Sequence, residues 1–344
     1  MRTMASFKVG RVSIVRELPQ AAQSLPGELT GEAVSFLRVY LRRKNNRPLQ
    51  SLFEIIKQVP ESKCRAQIKR HLGTSPAKLK TFLESLPQYF SIEQDQVSLL
   101  PCKTRGEIEA SLQVPRHAGD AQRQPRNICV VTDPAYCAKA VNELLAEKVI
   151  GVDCEGECLG ITGRLTLVQI STVQGDVFLI DIIADRDKHA MFYLGRLKEL
   201  LESPDVVKVF HNCRSDSAAL YCQFGVTLRN VFDTECAYQV LMDQHNIDVK
   251  QPIPGLNHVC QIFGGPLNEV NEDIKYRMSH DHGYWGYRPM SRDMVIYAAA
   301  DVFALLPDVY YNMKKALDPG WTSQFQQLCQ ANVDWHFSRH SSGL

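Results

Sequence analysis

Apolar residues in the first third of the chain recur at helical spacing. In GEAVSFLRVYLRRKNNRP, Val34, Leu37 and Leu41 fall on one stripe, and Lys44, Asn45, Asn46 and Pro48 supply the stop. A second helix is predicted over Leu49 to Gln58. A third starts at Ser75-Pro76, where a hydroxyl can cap the helix and a proline suits its first position; it carries Leu79, Phe82, Leu83 and Leu86. YFSIEQDQVSLL then reads as two short strands around Glu93-Gln94-Asp95. The pattern predicts a small α+β unit over residues 31–100, three helices closed by a hairpin.

The rhythm changes after VPRHAGDAQRQPRN (114–127), which is rich in Pro, Arg and Gln without hydrophobic periodicity and reads as a linker. Beyond it strands alternate with helices: NICVVTD, a helix through Ala135 to Glu147, then VIGVDCE, LTLVQIST and DVFLIDI, a helix near Leu194 to Leu201, and VVKVFHN. The three middle strands are close enough to form an antiparallel meander, whereas the later ones are separated by helices. A mixed sheet flanked by helices is expected. The predicted organisation is an N-terminal tail (1–30), the small unit (31–100), a linker (101–135), an α/β domain (136–318) and a helical tail (319–344). Phe325, Leu328 and Val333 share one face of that tail, which is expected to dock on the α/β domain or on a protein partner.

Composition adds an asymmetry that the net charge of +1 conceals. Residues 1–130 carry 21 Lys+Arg against 11 Asp+Glu, which leaves, of the totals 39 and 38, 18 against 27 for the rest. A basic front suited to a polyanion precedes an acidic back that concentrates carboxylates. With 44% hydrophobic and 22% charged residues, collagenous, mucin-like and wholly disordered classes are excluded. No apolar run approaches the roughly 18 residues that cross a bilayer, so no membrane partner is expected. The first residues lack a signal-peptide core, and a cytoplasmic, or alternatively nuclear, location is expected. Arg2, Lys8, Arg11 and Arg16 read as a solvated basic tail, with a transit peptide as the weaker reading. Eleven cysteines without a Cys-x-x-Cys pair fit reduced thiols, and the spacing of Cys154 and Cys158 has no second pair to complete a zinc site.

The strongest chemical feature is Asp153-Cys154-Glu155 at the end of the apolar strand VIGVD. Residues two apart on a strand face the same side, so the two carboxylates converge and repel unless a cation lies between them. Asp216 follows the strand VVKVF in the early turns of a helix. In MSRDMVIYAAADVFALLP, an uninterrupted helix pattern with Ser291 as N-cap, Tyr297 and Asp301 are four apart and share a face. An acid on such an apolar helix needs a partner: a salt bridge to Arg, or a metal ion shared with the other acids. His211 and Asn212, at a strand end, are candidate substrate contacts. Lys275, Tyr276 and Arg277, with His280 and His282, lie in an expected loop that either holds phosphates or is simply solvated. Trp285 and Arg288 read as structural. Arg42, Arg43 and Lys44, with Arg47, Lys69, Arg70, Lys78 and Lys80, favour phosphate contact in the front unit, against a plain protein-interaction module.

These blocks, Asp153-x-Glu155, Asn212-x-x-x-Asp216 and Tyr297-x-x-x-Asp301, resemble the motifs of the DEDDy 3′-5′ exonucleases, the ribonuclease-D-like branch of the ribonuclease-H-like fold. YWGYRPMSRDMVIYAAAD resembles the ribonuclease-D pattern of Trp, then Arg-Pro, then the Tyr-bearing helix. The surroundings DCEGECLGITGRLTLVQIST are similar to Egalitarian-like and piRNA-pathway exonuclease-domain proteins, and the front unit resembles winged-helix, LOTUS-type modules. The resemblance implies an α/β, ribonuclease-H-like exonuclease domain preceded by a small winged-helix-like α+β domain. It implies hydrolysis of nucleic acid, single-stranded RNA above all, with two Mg²⁺ or Mn²⁺ ions. Asp153 would bridge both ions, Glu155 and Asp301 would complete the site holding the water, Asp216 would serve the other, and Tyr297 would orient the water. Packing of the Tyr297 ring in the core is the bland alternative. Egalitarian-like relatives imply a second possibility, an RNA-binding adaptor with weak or no turnover. Arg214-Ser215, where many active relatives carry an aromatic or apolar residue, is a departure expected to alter the site.

Overall fold

The computed structural model describes residues 33–41 except 35 and 39, 46–59, 66–100 except 73 and 88, 104–115, 123–245, 247, 254–269 and 272–340. The chain forms two compact units, 1–101 and 102–344.

In the first unit, helix α1 (within 33–41) turns Ala33, Val34, Leu37 and Leu41 inward. Strand β1 (Arg47–Pro48) leads into α2 (Leu49–Gln58), α3 (Ala66–Leu72) and α4 (Pro76–Glu84). Ser75 caps α4 as expected, its hydroxyl accepting the Lys78 N–H at 3.2 Å. Strands β2 (Phe90–Glu93) and β3 (Gln96–Leu99) form the hairpin, and the sheet order is β1-β3-β2. Gln94 (φ 47°) and Asp95 (φ 63°) are both left-handed, the backbone of a two-residue turn whose twist matches the strands. Helix α3 is one more than the pattern predicted: AQIKRHL is short and offers Ile68 and Leu72 as its buried apolar pair. Arg42, Arg43 and Lys44 lie outside the described residues. Of the other cations, Lys69 bonds the Val59 carbonyl at 2.9 Å and Arg47 the Tyr40 carbonyl at 3.1 Å, while Lys78 is exposed.

The second unit begins inside the expected linker. Helix α5 (Arg105–Leu112) and strand β4 (Asn127–Val131) both fall within 101–135. Thr104 and Glu107 form a reciprocal capping box that starts α5, a local signal that outweighs the linker-like composition downstream. The chain continues through α6 (Pro134–Leu144), β5 (Val149–Glu157), β6 (Arg164–Thr172) and β7 (Asp176–Asp181). Next come α7 (Ala190–Tyr193), α8 (Leu197–Glu202), β8 (Val207–Phe210), α9 (Arg214–Phe224), β9 (Val231–Asp233) and α10 (Thr234–Gln244). It closes with α11 (Leu256–Phe263), α12 (Glu272–His280), α13 (Arg292–Ala304), α14 (Tyr310–Ala316), α15 (Thr322–Val333) and α16 (Trp335–His340). The helix expected near 194–201 is α8, which starts only at Leu197 because Arg196 is left-handed (φ 59°); the short α7 ends before the expected range.

The sheet order is β4-β7-β6-β5-β8-β9. β5, β6 and β7 are the expected antiparallel meander, and β4, β8 and β9 pair in parallel because helices carry the chain back between them. One core joins the sheet to α6, α8 and α9 through Val141, Ile150, Val152, Leu200, Leu220 and Phe224. Helix α13 crosses β5, β6 and β7 on the opposite face, where Ser171 Oγ donates to the Val302 carbonyl at 2.8 Å. Gly151 makes this approach possible: a Cβ there would stand 2.9 Å from that carbonyl. α13 ends at Ala304, since Leu306 (φ −130°, ψ 150°) precedes Pro307 and leaves the helical region. The run Arg292–Ala316 has the length and composition of a membrane span, yet it is broken at Leu306 and buries Met294, Ala298, Val302 and Leu305. The C-terminal segment is not a free tail: α15 buries Phe325, Cys329 and Val333 against α9, α10 and β9.

Candidate active site

Strand pleating puts Asp153 and Glu155 on the β5 face that α13 covers, and α13 presents Tyr297 and Asp301 one turn apart. Both pairs line one cavity of about 730 Å³, together with Asp216 from the first turn of α9. One carboxylate oxygen each from Asp153, Glu155 and Asp301 lies within 4.8 Å of the others. Among the described residues no Lys or Arg forms a salt bridge with these acids, so the bland reading of an ion pair with Arg fails. The β5–β6 register shifts between Glu155 and Gly156, directly after the second acid. Such a bulge bends the strand and re-aims side chains at the sheet's end.

Burial pushes all four carboxyl groups up. For Asp153 the charges of Asp216 and Asp301 add to burial, and for Glu155 those of Asp153 and Asp301 do. Asp216 is raised to about 7 by burial, although the thiol and backbone of Cys154 bond it and oppose the rise. Asp301 is raised by burial against hydrogen bonds from Asn268 and Tyr297. Tyr297 is pushed well above its ordinary range by burial and then by the Asp301 charge. Its hydroxyl is therefore a proton donor to Asp301 at neutral pH, and no free base. The ring packs near Trp285, centroids 5.9 Å apart, so packing and site position coexist.

An all-oxygen set of clustered, unneutralised carboxylates fits a hard divalent cation and does not fit zinc, which prefers nitrogen and sulfur. Gln169, in register with Asp153 on β6, is fully buried with no protein partner for either amide atom.

His211 also lines the cavity, but Thr234 Oγ1 lies 2.8 Å from its Nδ1 and the Pro254 backbone bonds its ring. Burial pushes this imidazole down despite the Asp233 charge, which makes it a neutral part of the wall. Asn212 (φ 62°) is exposed at the cavity. Lys275 lies on α12, not in a loop, and its side chain is outside the described set. On the same helix Tyr276 and His280 stack at 4.0 Å. Arg288 is structural as expected, bonding Asp181 at 2.6 and 2.9 Å and the Thr166 carbonyl at 3.1 Å. Arg214 does not line the site. It bonds Asn332 at 2.9 Å and pairs with Glu235 at 3.0 Å.

Several site residues carried no legible signal. Asn268, from an aperiodic loop, donates to Asp301 Oδ1 at 2.8 Å and to the Tyr297 carbonyl at 3.2 Å. Asp233 accepts the N–H groups of Asn212, Cys213 and Glu235 and the amide of Asn332, all at 2.9–3.0 Å, which anchors the start of α9 and thus Asp216. Asp-Thr at a strand-to-helix boundary was its only cue. His258 on α11 lines the cavity and meets Glu109 of α5 at 3.0 Å. Burial works against ionisation of Glu109, but hydrogen bonds from Tyr238, Arg105 and His258 outweigh it and hold the carboxyl below its ordinary range.

Comparison with known proteins agrees with this geometry. The 3′-5′ exonuclease family matches residues 128–318, and the Egalitarian winged helix domain family matches residues 31–101. Exosome complex component 10 of Mus musculus is 31% identical over 215 residues, 60% of this chain and 21% of that protein. The Egalitarian protein homolog of Caenorhabditis elegans is 22% identical over 319 residues, 86% of this chain and 54% of that protein. The chain thus spans from about a fifth to just over half of these relatives. The crystal structure of Trypanosoma brucei RNase D shares the fold, with TM-score 0.52 and 24% identity over 61% of this chain and 72% of that one. With the four acids and the tyrosine in motif order and more than half of the 344 residues matched, the chain belongs to the 3′-5′ exonuclease family, in its ribonuclease-D-like branch.

Proposed function

We propose that this chain hydrolyses phosphodiester bonds from the 3′ end of single-stranded RNA. The observation that carries the reading is the convergence of Asp153, Glu155 and Asp301 without a cationic partner, beside Asp216 and Tyr297. Asp153, Glu155, Asp216 and Asp301 are the residues that would hold two Mg²⁺ or Mn²⁺ ions. Those ions, when bound, acidify the attacking water and neutralise charge on the phosphate and the leaving 3′ oxygen. The chain's own groups do the rest. Glu155 and Asp301 accept hydrogen bonds from the water. Tyr297 stays protonated, donates to Asp301 and fixes its orientation, while Asn268 holds the same carboxylate from the other side. Relatives named ribonuclease D support RNA as the substrate.

The match to the Egalitarian winged helix domain is compatible with a second reading, an RNA-binding adaptor with little turnover. A labelled single-stranded RNA separates the two. Hydrolysis predicts 3′ shortening with Mn²⁺ or Mg²⁺ that EDTA abolishes, and a loss of at least about a hundredfold for Asp153→Ala or Asp301→Asn. Intact RNA in Mn²⁺, bound equally well in EDTA, overturns hydrolysis and leaves the adaptor.

A further inference from the structure

Helix α5 lies outside the residues matched by the exonuclease family, yet it reaches the active-site wall. The Val114 N–H donates to the Ile262 carbonyl at 2.9 Å, fastening the end of this segment to α11. Within it, Glu109 Oε1 sits 2.8 Å from Arg105 Nε and 3.0 Å from His258 Nε2, and it accepts the Tyr238 hydroxyl. The Arg105 guanidinium also lies over the Tyr238 ring, 5.3 Å from its centroid. The Glu109 side chain is 16% exposed, whereas that of His258 is 41% exposed.

This arrangement fixes the imidazole without burying it. The carboxylate takes the Nε2 proton and sets the ring orientation, as carboxylates do for functional histidines elsewhere, which leaves Nδ1 to meet the substrate; Nδ1 donates to a phosphate oxygen when the ring carries both protons. The remaining polar side chains of the cavity are largely committed. Asn268 serves Asp301 and Tyr297; Asn257 exchanges hydrogen bonds of 2.9 and 3.0 Å with the Asn268 backbone; His211 is held by Thr234. Among the described polar side chains of the cavity, Asn212 and, beyond its bond to Glu109, His258 are left facing a polyanion that four acids would otherwise repel.

We propose that His258 contacts a phosphate of the bound nucleic-acid 3′ end, and that Glu109, from outside the matched family region, is the positioning residue that aims it. This rests on the nuclease reading above, deepening its substrate site. The test uses the full chain and a fluorescent single-stranded RNA with a phosphorothioate at its last linkage, bound in Ca²⁺ and read by anisotropy, alongside steady-state hydrolysis in Mn²⁺. His258→Ala is expected to weaken binding about tenfold, the scale of one hydrogen bond to a charged group. KM should rise by a similar factor while kcat stays within about twofold of the parent value, the signature of uniform binding. Glu109→Gln should weaken binding in the parent protein and have no further effect in the His258→Ala background. Unchanged affinity for His258→Ala, or additive losses in the double variant, overturns the proposal. If His258→Ala melts at a lower temperature, His258→Gln is read in its place. A parent protein that binds but does not hydrolyse overturns the nuclease reading alone, because the affinity arm still decides on His258.

Discussion

Asp216 sits in the first turn of α9, almost without solvent contact, and its carboxyl is raised to about 7 mainly by burial. In an unfolded chain the same group titrates near about 4. Between those values the folded protein holds a proton that the unfolded chain has lost, so rising pH destabilises the metal-free fold through this window. Below about 4 the effect is absent, and above about 7 it is complete. The metal-free protein should melt at a lower temperature at pH 8 than at pH 5.5. Asp216→Asn should recover on the order of 1–3 kcal/mol at pH 8 and lose much of the stabilisation that Mn²⁺ gives the parent. Calorimetry at the two pH values checks this, and equal melting temperatures for the parent would contradict it. The carboxylates of this cavity are therefore placed against their own stability, as expected where a site is built for a cation.

At the scale of elements, α15 decides how well α9 is held. Asn332 links the two: its amide donates to Asp233 and its oxygen accepts from Arg214, the residue whose departure from the family pattern was expected to alter the site. Ser217 Oγ adds a bond of 2.7 Å to the Val333 carbonyl. Replacing Asn332 by Ala leaves one buried Asp233 oxygen short of a donor, at a cost of about 1–3 kcal/mol. Urea unfolding of Asn332→Ala should show that loss in midpoint at unchanged slope. Arg214 thus belongs to the scaffold of α9. The helical rhythm of the C-terminal segment was legible, since Phe325 and Val333 share a face, but its docking site was not, because periodicity says which face is buried and not against what. The same limit hid β9 and α10: Asp233 caps α10 locally through the Glu235 N–H, and its further role exists only once three distant donors, the N–H groups of Asn212 and Cys213 and the Asn332 amide, meet it.

For the whole molecule, the charge asymmetry seen in the sequence maps onto the two units. Residues 1–101 hold 16 Lys+Arg against 8 Asp+Glu, while the carboxylate cavity lies in 102–344. A polyanion is repelled by the metal-free cavity, and the excess of Lys and Arg in the front unit is expected to supply compensating attraction. Removing residues 1–101 should weaken capture of a long single-stranded RNA at least about tenfold near 0.1 M salt and flatten the dependence of log K on log salt. Filter binding across a salt series measures both. Unchanged affinity and slope would instead mark the front unit as a protein-docking module.

The sequence by itself determined the alternation of elements, the antiparallel meander, the hairpin of the front unit and the order of Asp153, Glu155, Asp216, Tyr297 and Asp301. These rest on local rules, the pleat of a strand and the turn of a helix, which act over a few residues. Tertiary structure alone decided the convergence of three motifs on one cavity, the direction of Arg214, the commitment of His211 to the wall, and the recruitment of Glu109 from a stretch that reads as linker. Glu109 and His258 are 149 positions apart. No local pattern encodes a hydrogen bond across that separation, because it exists only once α5 has packed beside α11.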